Sequence, residues 1–199
     1  MGERLILASA SPARARLLAA AGLRIQVESP MVDEGAIKIA FQVNGGTAAD
    51  CALALAEAKA RQVAENYRHA LVVGADQILV CGNVWFDKPE GLGEARVQLQ
   101  ALRDRAHQLV TAACVVRNED RLWDAVSSPK LTMRQFSEAF LDAYLDAEGT
   151  AIFGSVGAYR LEGRGIQLFA DIEGDYFAIL GLPLLELLCF LRSRGVLPS

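Results

Sequence analysis

Residues 5–23 read LILASASPARARLLAAAGL and indicate the fold class. The apolar run at 4–8 predicts a buried strand, and Ser11 followed by Pro12 predicts the start of a helix over 12–21. A strand that leads directly into a helix is the repeating step of α/β proteins. We therefore expect an α/β fold in which a central mixed sheet is flanked by helices.

The rest of the chain continues this irregular alternation of strands and helices. Residues 29–46 are predicted to be irregular. The other predicted elements are a strand at 24–28, a helix from Thr47 to about 66, a strand ending at Asp76, a hairpin turning at 82–83, a helix near 91–103, an antiparallel meander over 107–117 and 121–135 with turns at 118–120 and 128–129, a helix from Ser137 to about 147, a strand pair around 173–175 and a last helix at 183–194.

The composition is that of a globular protein. The 199 residues are 52% hydrophobic and 22% charged, and the net charge is −4, which argues against nucleic acid as a partner. No apolar run approaches the roughly 18 residues of a membrane span, and no secretion leader is visible. We expect one cytoplasmic domain over residues 1–199. The cysteines Cys51, Cys81, Cys114 and Cys189 are expected to be reduced core thiols.

Two arginines stand at the predicted start of the first helix, where the helix dipole disfavours cations. Helical spacing places Arg14 with Leu17 and Leu18 on the inner face and Arg16 on the other side. A solvated surface turn accounts for Arg16. For Arg14 the inner position favours a bound anion, held by the arginine together with free N–H groups of the helix start.

Four further positions are candidates for chemistry, and Lys59 and Asp76 among them also have a plainer explanation. Lys59 lies on the apolar face of its helix, where it either binds phosphate or extends to water. Asp76 ends an apolar strand as a catalytic or metal-binding carboxylate, or as a turn cap. Lys88 is a further cation, placed before a proline that fixes the local backbone. Glu34 is a further carboxylate and is predicted to lie in a loop. Together, cations and carboxylates suit a polyphosphate with Mg²⁺ or Mn²⁺.

Other kinds of site find little support in the sequence. Neither GxxxxGK[ST] nor GxGxxG follows a predicted strand, so the usual nucleotide-binding loops are absent. The sequence has neither a GxSxG motif nor a His–Ser or Cys–His pairing, so it gives no indication of an enzyme with a serine or cysteine nucleophile. His69 and His107 are interpreted as surface or structural residues.

Seven ordered blocks span nearly the whole chain: LILASASP, VDE, AEAKA, VVGADQ with DKP, RAHQLVTA, VGAYRLEGRGIQLF and IEGDYFAILGLPL. In these blocks the sequence resembles the Maf family of nucleoside triphosphate pyrophosphatases. The resemblance implies two lobes around a cleft, as in inosine triphosphate pyrophosphatases. It implies hydrolysis of a nucleoside triphosphate to monophosphate and pyrophosphate with Mg²⁺, Mn²⁺ or Co²⁺. A house-cleaning role and a homodimer are expectations from the family.

By position in the family's motifs, Ser9 and Arg14 match the phosphate-binding residues. Lys59 and Lys88 match its substrate-binding lysines. Glu34 and Asp76 match the carboxylates expected to bind the metal and act in catalysis, with Asp76 as proton acceptor.

Two departures bear on the choice of substrate. Relatives often have two adjacent arginines after Ser-Pro, whereas here only Arg14 is in register. GADQ, YRLEG at 159–163 and EGRGIQLF resemble the branch that acts on 7-methyl-GTP. Glu162 gives a hypothesis for this preference, because a carboxylate can accept from the N1–H and 2-amino groups of guanine. A dTTP/UTP or broad-range pyrophosphatase and a nucleotide-binding regulator of cell division stay as alternatives. The plainer reading of Glu162 is support of its glycine-rich loop.

Overall fold

A computed structural model describes residues 3–198, and the strands in that part of the chain form one mixed sheet. The strands are β1 (Leu5–Ala8), β2 (Ile25–Glu28), β3 (Leu71–Cys81), β4 (Val84–Phe86), β5 (Ala106–Arg117), β6 (Asp120–Ser127), β7 (Lys130–Met133) and β8 (Phe169–Glu173). Their hydrogen-bonding order is β2-β1-β3-β5-β7-β8, with β4 on β3 and β6 on β5. The mixed α/β class is confirmed.

The helices alternate with these strands. They are α1 (Pro12–Ala20), α2 (Glu34–Val43), α3 (Ala48–Ala64), α4 (Leu92–Leu102), α5 (Glu138–Glu148), α6 (Tyr176–Ile179) and α7 (Leu184–Ser193). Short 3₁₀ helices cover Gly149–Gly154, Val156–Ala158 and Arg164–Leu168. Within residues 3–198, none of the helices combines the length and the apolar character that crossing a membrane requires.

The chain divides into two compact units. The first contains the described residues up to Gln77, Thr111–Ser127 and those from Asp175 onward; the second contains Ile78–Val110 and Ser128–Gly174. The prediction of a single domain over the whole chain stays a prediction.

The first unit is built on three parallel strands. β1 pairs with β2 on one side and with β3 on the other, so that Ala8 lies opposite both Glu28 and Gly74. Leu5 and Leu7 of β1 belong to a buried core with α1, β3 and α7. Because the side chains of a strand alternate between faces, Ile6 and Ala8 point to the opposite face.

A glycine on β3 determines how closely α3 approaches that opposite face. A Cβ at Gly74 would collide with the carbonyl oxygen of Ala56 in the middle of α3. The absence of a side chain therefore lets the helix backbone pass directly over the strand. This close approach carries Lys59, less than one helical turn beyond Ala56, to the part of β3 that follows Gly74.

The second unit contains the predicted hairpin and a buried aromatic group. β3 and β4 pair antiparallel around Gly82, whose φ of +62° fits the tight turn. His107 on β5 lies against the rings of Tyr159 and Phe169, and its Nε2 is 2.8 Å from the Tyr159 hydroxyl oxygen. His107 is thus a structural residue, as interpreted from the sequence.

The prediction that residues 29–46 are irregular is wrong, because α2 occupies much of this stretch. Glu34, Lys38 and Gln42 recur every fourth position on one side of α2, a helical period that the prediction missed. No residue of α2 is buried. The helix is instead fixed at its start, where Asp33 Oδ1 accepts from the Ala36 N–H at 2.9 Å.

The first half of the predicted meander is confirmed, because β5 and β6 pair antiparallel around the turn at 118–120. The pairing expected for its last strand and the strand pair around 173–175 are wrong. β6 and β7 both pair with β5, at 111–117 and 106–108 respectively, so the chain continues along one strand past Pro129. The Leu109 N–H still donates to the Pro129 carbonyl at 3.1 Å. Asp175 caps α6 rather than entering a strand. Cys189 is exposed, whereas the other three cysteines are buried as expected.

Candidate active site

Arg14 is the cation that the first helix turns inward. Ser11 caps α1, and the side chain of Arg14 is buried, with 9% of its surface exposed. Its Nε donates to the Gly181 carbonyl at 2.7 Å, and its Nη1 donates to Ser9 Oγ at 3.1 Å. The guanidinium is therefore held by two partners within the first unit, and Arg16 is exposed as predicted.

The start of α1 offers fewer backbone donors than we expected. Pro12 has no N–H, and the Arg14 N–H is directed at the Ser11 cap, 3.5 Å from its Oγ. Positive charge at this end of the first unit therefore comes mainly from the Arg14 side chain rather than from the helix terminus.

Lys59 joins the two predicted carboxylates. Its Nζ is 2.5 Å from Asp76 Oδ1 and 2.7 Å from Glu34 Oε1. The side chains of Lys59 and Asp76 are each 7% exposed, whereas that of Glu34 is 46% exposed. Asp76 Oδ2 is buried and has no hydrogen-bond partner among the described residues. One lysine thus bridges a buried and a half-exposed carboxylate.

The prediction that Asp76 ends its strand is wrong, because β3 continues through it to Cys81. The neighbouring parallel strand is the one that stops: β1 ends at Ala8, opposite Gly74. Asp76 lies two residues further along β3, so it projects on the same side as Gly74, beyond the carboxyl end of β1. Asp76 therefore lies beyond the carboxyl end of β1 rather than of β3, in the kind of position where ligands of α/β sheets bind.

Ser9, Arg14, Glu34, Lys59 and Asp76 form a group that we call the charged cluster, in which the formal charges of two cations and two carboxylates cancel. Burial lowers the pKa of Arg14, while the negative charges of Asp76 and Glu34 act in the opposite direction. Two cations and two carboxylates with one unpaired buried oxygen can bind an anion and a cation together.

The structure brings together five of the seven predicted site residues, all in the first unit. Lys88 and Glu162 belong to the second unit. Lys88 follows β4 and is exposed. Glu162 is exposed, and its Oε1 is 3.8 Å from Nε of Arg160.

A polar brace that the sequence did not reveal lies in the same unit. Gln77 Nε2 donates to Thr111 Oγ1 at 2.8 Å and to the Ala178 carbonyl at 3.0 Å, and Thr111 Oγ1 donates to the same carbonyl at 2.9 Å. These bonds fix α6, which ends just before the Gly181 carbonyl that holds Arg14. The IEGDYFAILGLPL block marks this segment in the sequence, but nothing in the block indicates that the Gly181 carbonyl accepts from Arg14.

Known proteins are similar to this chain over nearly its whole length. The sequence profile described as Maf-like protein matches residues 4–194. The chain belongs to the Maf-like protein family. Among its Maf-like relatives, a nucleoside triphosphate pyrophosphatase of Rhodospirillum rubrum is 51% identical over 98% of this chain and 96% of its own length. A 7-methyl-GTP pyrophosphatase of Rhizobium meliloti is 47% identical over the full length of both chains.

One solved structure also aligns with this Maf-like chain. It is a nucleoside-triphosphatase or dITP/XTP pyrophosphatase from Mycobacterium abscessus, with a TM-score of 0.43 and 15% identity over 98% of each chain.

Proposed function

We propose that the protein is a nucleoside triphosphate pyrophosphatase, which hydrolyses its substrate to the nucleoside monophosphate and pyrophosphate. The observation that carries the proposal is the buried Asp76 carboxylate, bound to Lys59 through one oxygen and unpaired at the other. The names of the Maf-like relatives support the same reaction.

In the proposed reaction, water attacks the α-phosphorus in line with the bond to the β-phosphate. A new P–O bond forms, the α–β anhydride bond breaks, and pyrophosphate leaves with the bonding electron pair. Asp76 accepts the proton of the attacking water. Arg14 and Lys59 neutralise the charge of the phosphate oxygens, which is the main contribution of protein groups to phosphoryl transfer. By the family resemblance, Ser9 and Lys88 are proposed as further substrate contacts.

A divalent cation fits the carboxylates of the charged cluster. No group of three or more His, Cys, Asp or Glu side chains that could hold a metal occurs within residues 3–198. Mg²⁺ in phosphoryl-transfer sites, however, is commonly bound by one or two carboxylates together with substrate phosphates. Asp76, through its unpaired Oδ2, and Glu34 would hold Mg²⁺, Mn²⁺ or Co²⁺. Such an ion supplies charge neutralisation at the phosphates.

A pyrophosphate-release assay with Mg²⁺, Mn²⁺ or Co²⁺ tests the proposal. Asp76→Asn is expected to reduce the rate by about 10³-fold because it removes the proton acceptor. Asp171→Asn is the matched control, since it makes the same change at an exposed carboxylate on β8. Near-normal release by Asp76→Asn, with a native circular dichroism spectrum, would refute the assignment.

We further propose that the preferred base is guanine of the 7-methyl type, read by Glu162. Two Maf-like relatives named 7-methyl-GTP pyrophosphatase support this preference, while others have the general name. A carboxylate can accept from two guanine donors and attracts a cationic methylated base, whereas uracil offers no such pair. Glu162→Gln should then lower turnover of 7-methyl-GTP more than that of UTP. Equal loss on both substrates would contradict base reading.

Two alternatives give different results in the same assay. A dTTP/UTP or broad-range enzyme would release pyrophosphate from pyrimidine triphosphates at least as fast as from 7-methyl-GTP. A nucleotide-binding regulator of cell division would bind triphosphate without releasing pyrophosphate. The complete set of carboxylates and cations in the charged cluster favours an enzyme over such a regulator.

A further inference from the structure

Lys59 is bonded to the same two carboxylates that are proposed to bind the metal. Its ammonium bonds both Asp76 and Glu34, the carboxylates that would hold a divalent cation. In the proposed function the same ammonium neutralises substrate phosphate. A cation on these carboxylates and an ammonium already bonded to them repel each other. Lys59 is therefore a built-in competitor of the metal.

We infer that Lys59 is an exchangeable counter-ion, which weakens metal binding until substrate phosphate draws its ammonium away from the carboxylates. This inference rests on the proposed function for the identity of the anion. It identifies Lys59 as the residue that couples metal binding to triphosphate binding. By linkage, metal and triphosphate then each increase the affinity of the protein for the other.

Burial makes this competition strong. Lys59 and Asp76 are each 7% exposed, so water screens their charges poorly. Asp76 Oδ2 is the unpaired oxygen, so a metal there would share one carboxyl group with the ammonium on Oδ1. The half-exposed Glu34 gives the ammonium its second partner and gives solvent ions access to the pair.

The test measures Mn²⁺ binding by titration calorimetry, with no nucleotide present. Lys59→Gln removes the competing charge but keeps an amide donor for one carboxylate. We expect this variant to bind Mn²⁺ about 10- to 100-fold more tightly than the unmodified protein. Lys59→Arg keeps the positive charge and should bind Mn²⁺ like the unmodified protein. Asp76→Asn added to Lys59→Gln should abolish the gain, which would place the ion at Asp76.

Arg61→Gln is the matched control. Arg61 lies on the same helix and pairs with Glu57 on the exposed side, so its loss changes the net charge equally without touching the charged cluster. Unchanged or weaker Mn²⁺ binding by Lys59→Gln, or an equal gain in Arg61→Gln, would overturn the inference.

A second measurement covers the case in which Lys59→Gln is less stable. An ion that binds only the folded state raises the unfolding temperature, and at a fixed ion concentration the rise grows with the logarithm of its affinity. Mn²⁺ should therefore raise the melting temperature of Lys59→Gln more than that of the unmodified protein, whatever their starting values. An equal or smaller rise would contradict the exchange. Since neither readout uses turnover, a protein without pyrophosphatase activity would refute the proposed function but not the competition between Lys59 and the metal.

Discussion

His107 makes the free energy of unfolding depend on pH, and the size of this dependence can be calculated from its pKa. Only 2% of its surface is exposed, its Nε2 contacts the Tyr159 hydroxyl, and its Nδ1 is buried without a hydrogen-bond partner. A protonated ring would therefore carry a buried charge and an unpaired N–H. Burial accordingly lowers the pKa of His107 from 6.5 to about 4.

The sign and size of the effect follow from proton linkage. Between about pH 4 and 6.5 the unfolded chain binds a proton on this residue and the folded chain does not. The free energy of unfolding therefore decreases as the pH falls through this range. At 1.36 kcal/mol per pKa unit, His107 contributes a loss of about 2 kcal/mol at pH 5 and about 3 kcal/mol at pH 4, relative to neutral pH.

Urea unfolding followed by circular dichroism at pH 7.5 and pH 5.0 measures this loss. His107→Gln places an amide where Nε2 contacts Tyr159 and cannot titrate, so it should lose about 2 kcal/mol less than the unmodified protein over this interval. His69→Gln is the control because His69 is exposed, and its pH dependence should match that of the unmodified protein. Equal losses in the unmodified protein and His107→Gln would refute the reasoning.

Two predictions concern the support of Arg14. Gly181 has φ +104°, and a Cβ there would lie 3.2 Å from Arg14 Nε, so Gly181→Ala should lower kcat/KM for pyrophosphate release by about 10- to 100-fold. Gly195→Ala, at φ +71° with open space around its Cβ, should reduce only stability, and equal losses of activity in both variants would contradict the prediction. Thr111→Val removes a buried hydroxyl with two hydrogen-bond partners, so it should lower the free energy of unfolding, measured in urea, by about 1–3 kcal/mol. Thr111→Ser keeps the hydroxyl and should retain most of the stability. A Thr111→Val variant as stable as the unmodified protein would show that the brace is dispensable.

Sequence patterns predicted the elements whose signals are local. Ser11 and Ser137 cap the helices they were expected to cap, and Thr47 caps α3. A cap needs only residues within one turn, so the sequence contains the whole interaction. Helical spacing also predicted that Arg14 faces inward and Arg16 outward. Both directions follow from the position of each residue around α1 relative to the apolar face of that helix.

Errors arose where a local pattern was missed or divided. The spacing of Glu34, Lys38 and Gln42 and the cap Asp33 indicate α2, although none of its residues is buried. Glu34 is consequently the first residue of a helix rather than part of a loop. The first arm of the predicted hairpin is the continuation of the strand that contains Asp76, so a single strand was predicted as two elements.

The sequence by itself determined that Arg14 faces inward from its helix and that Lys59 and Asp76 lie on apolar stretches. Only the tertiary structure decided their partners: Arg14 meets a carbonyl 167 positions away, and Lys59 joins Glu34 to Asp76. Periodicity and capping describe interactions within a few residues, whereas these contacts depend on how α1 and α3 pack on the sheet. Burial then gives the contacts their strength, because charges removed from water interact strongly and must be paired.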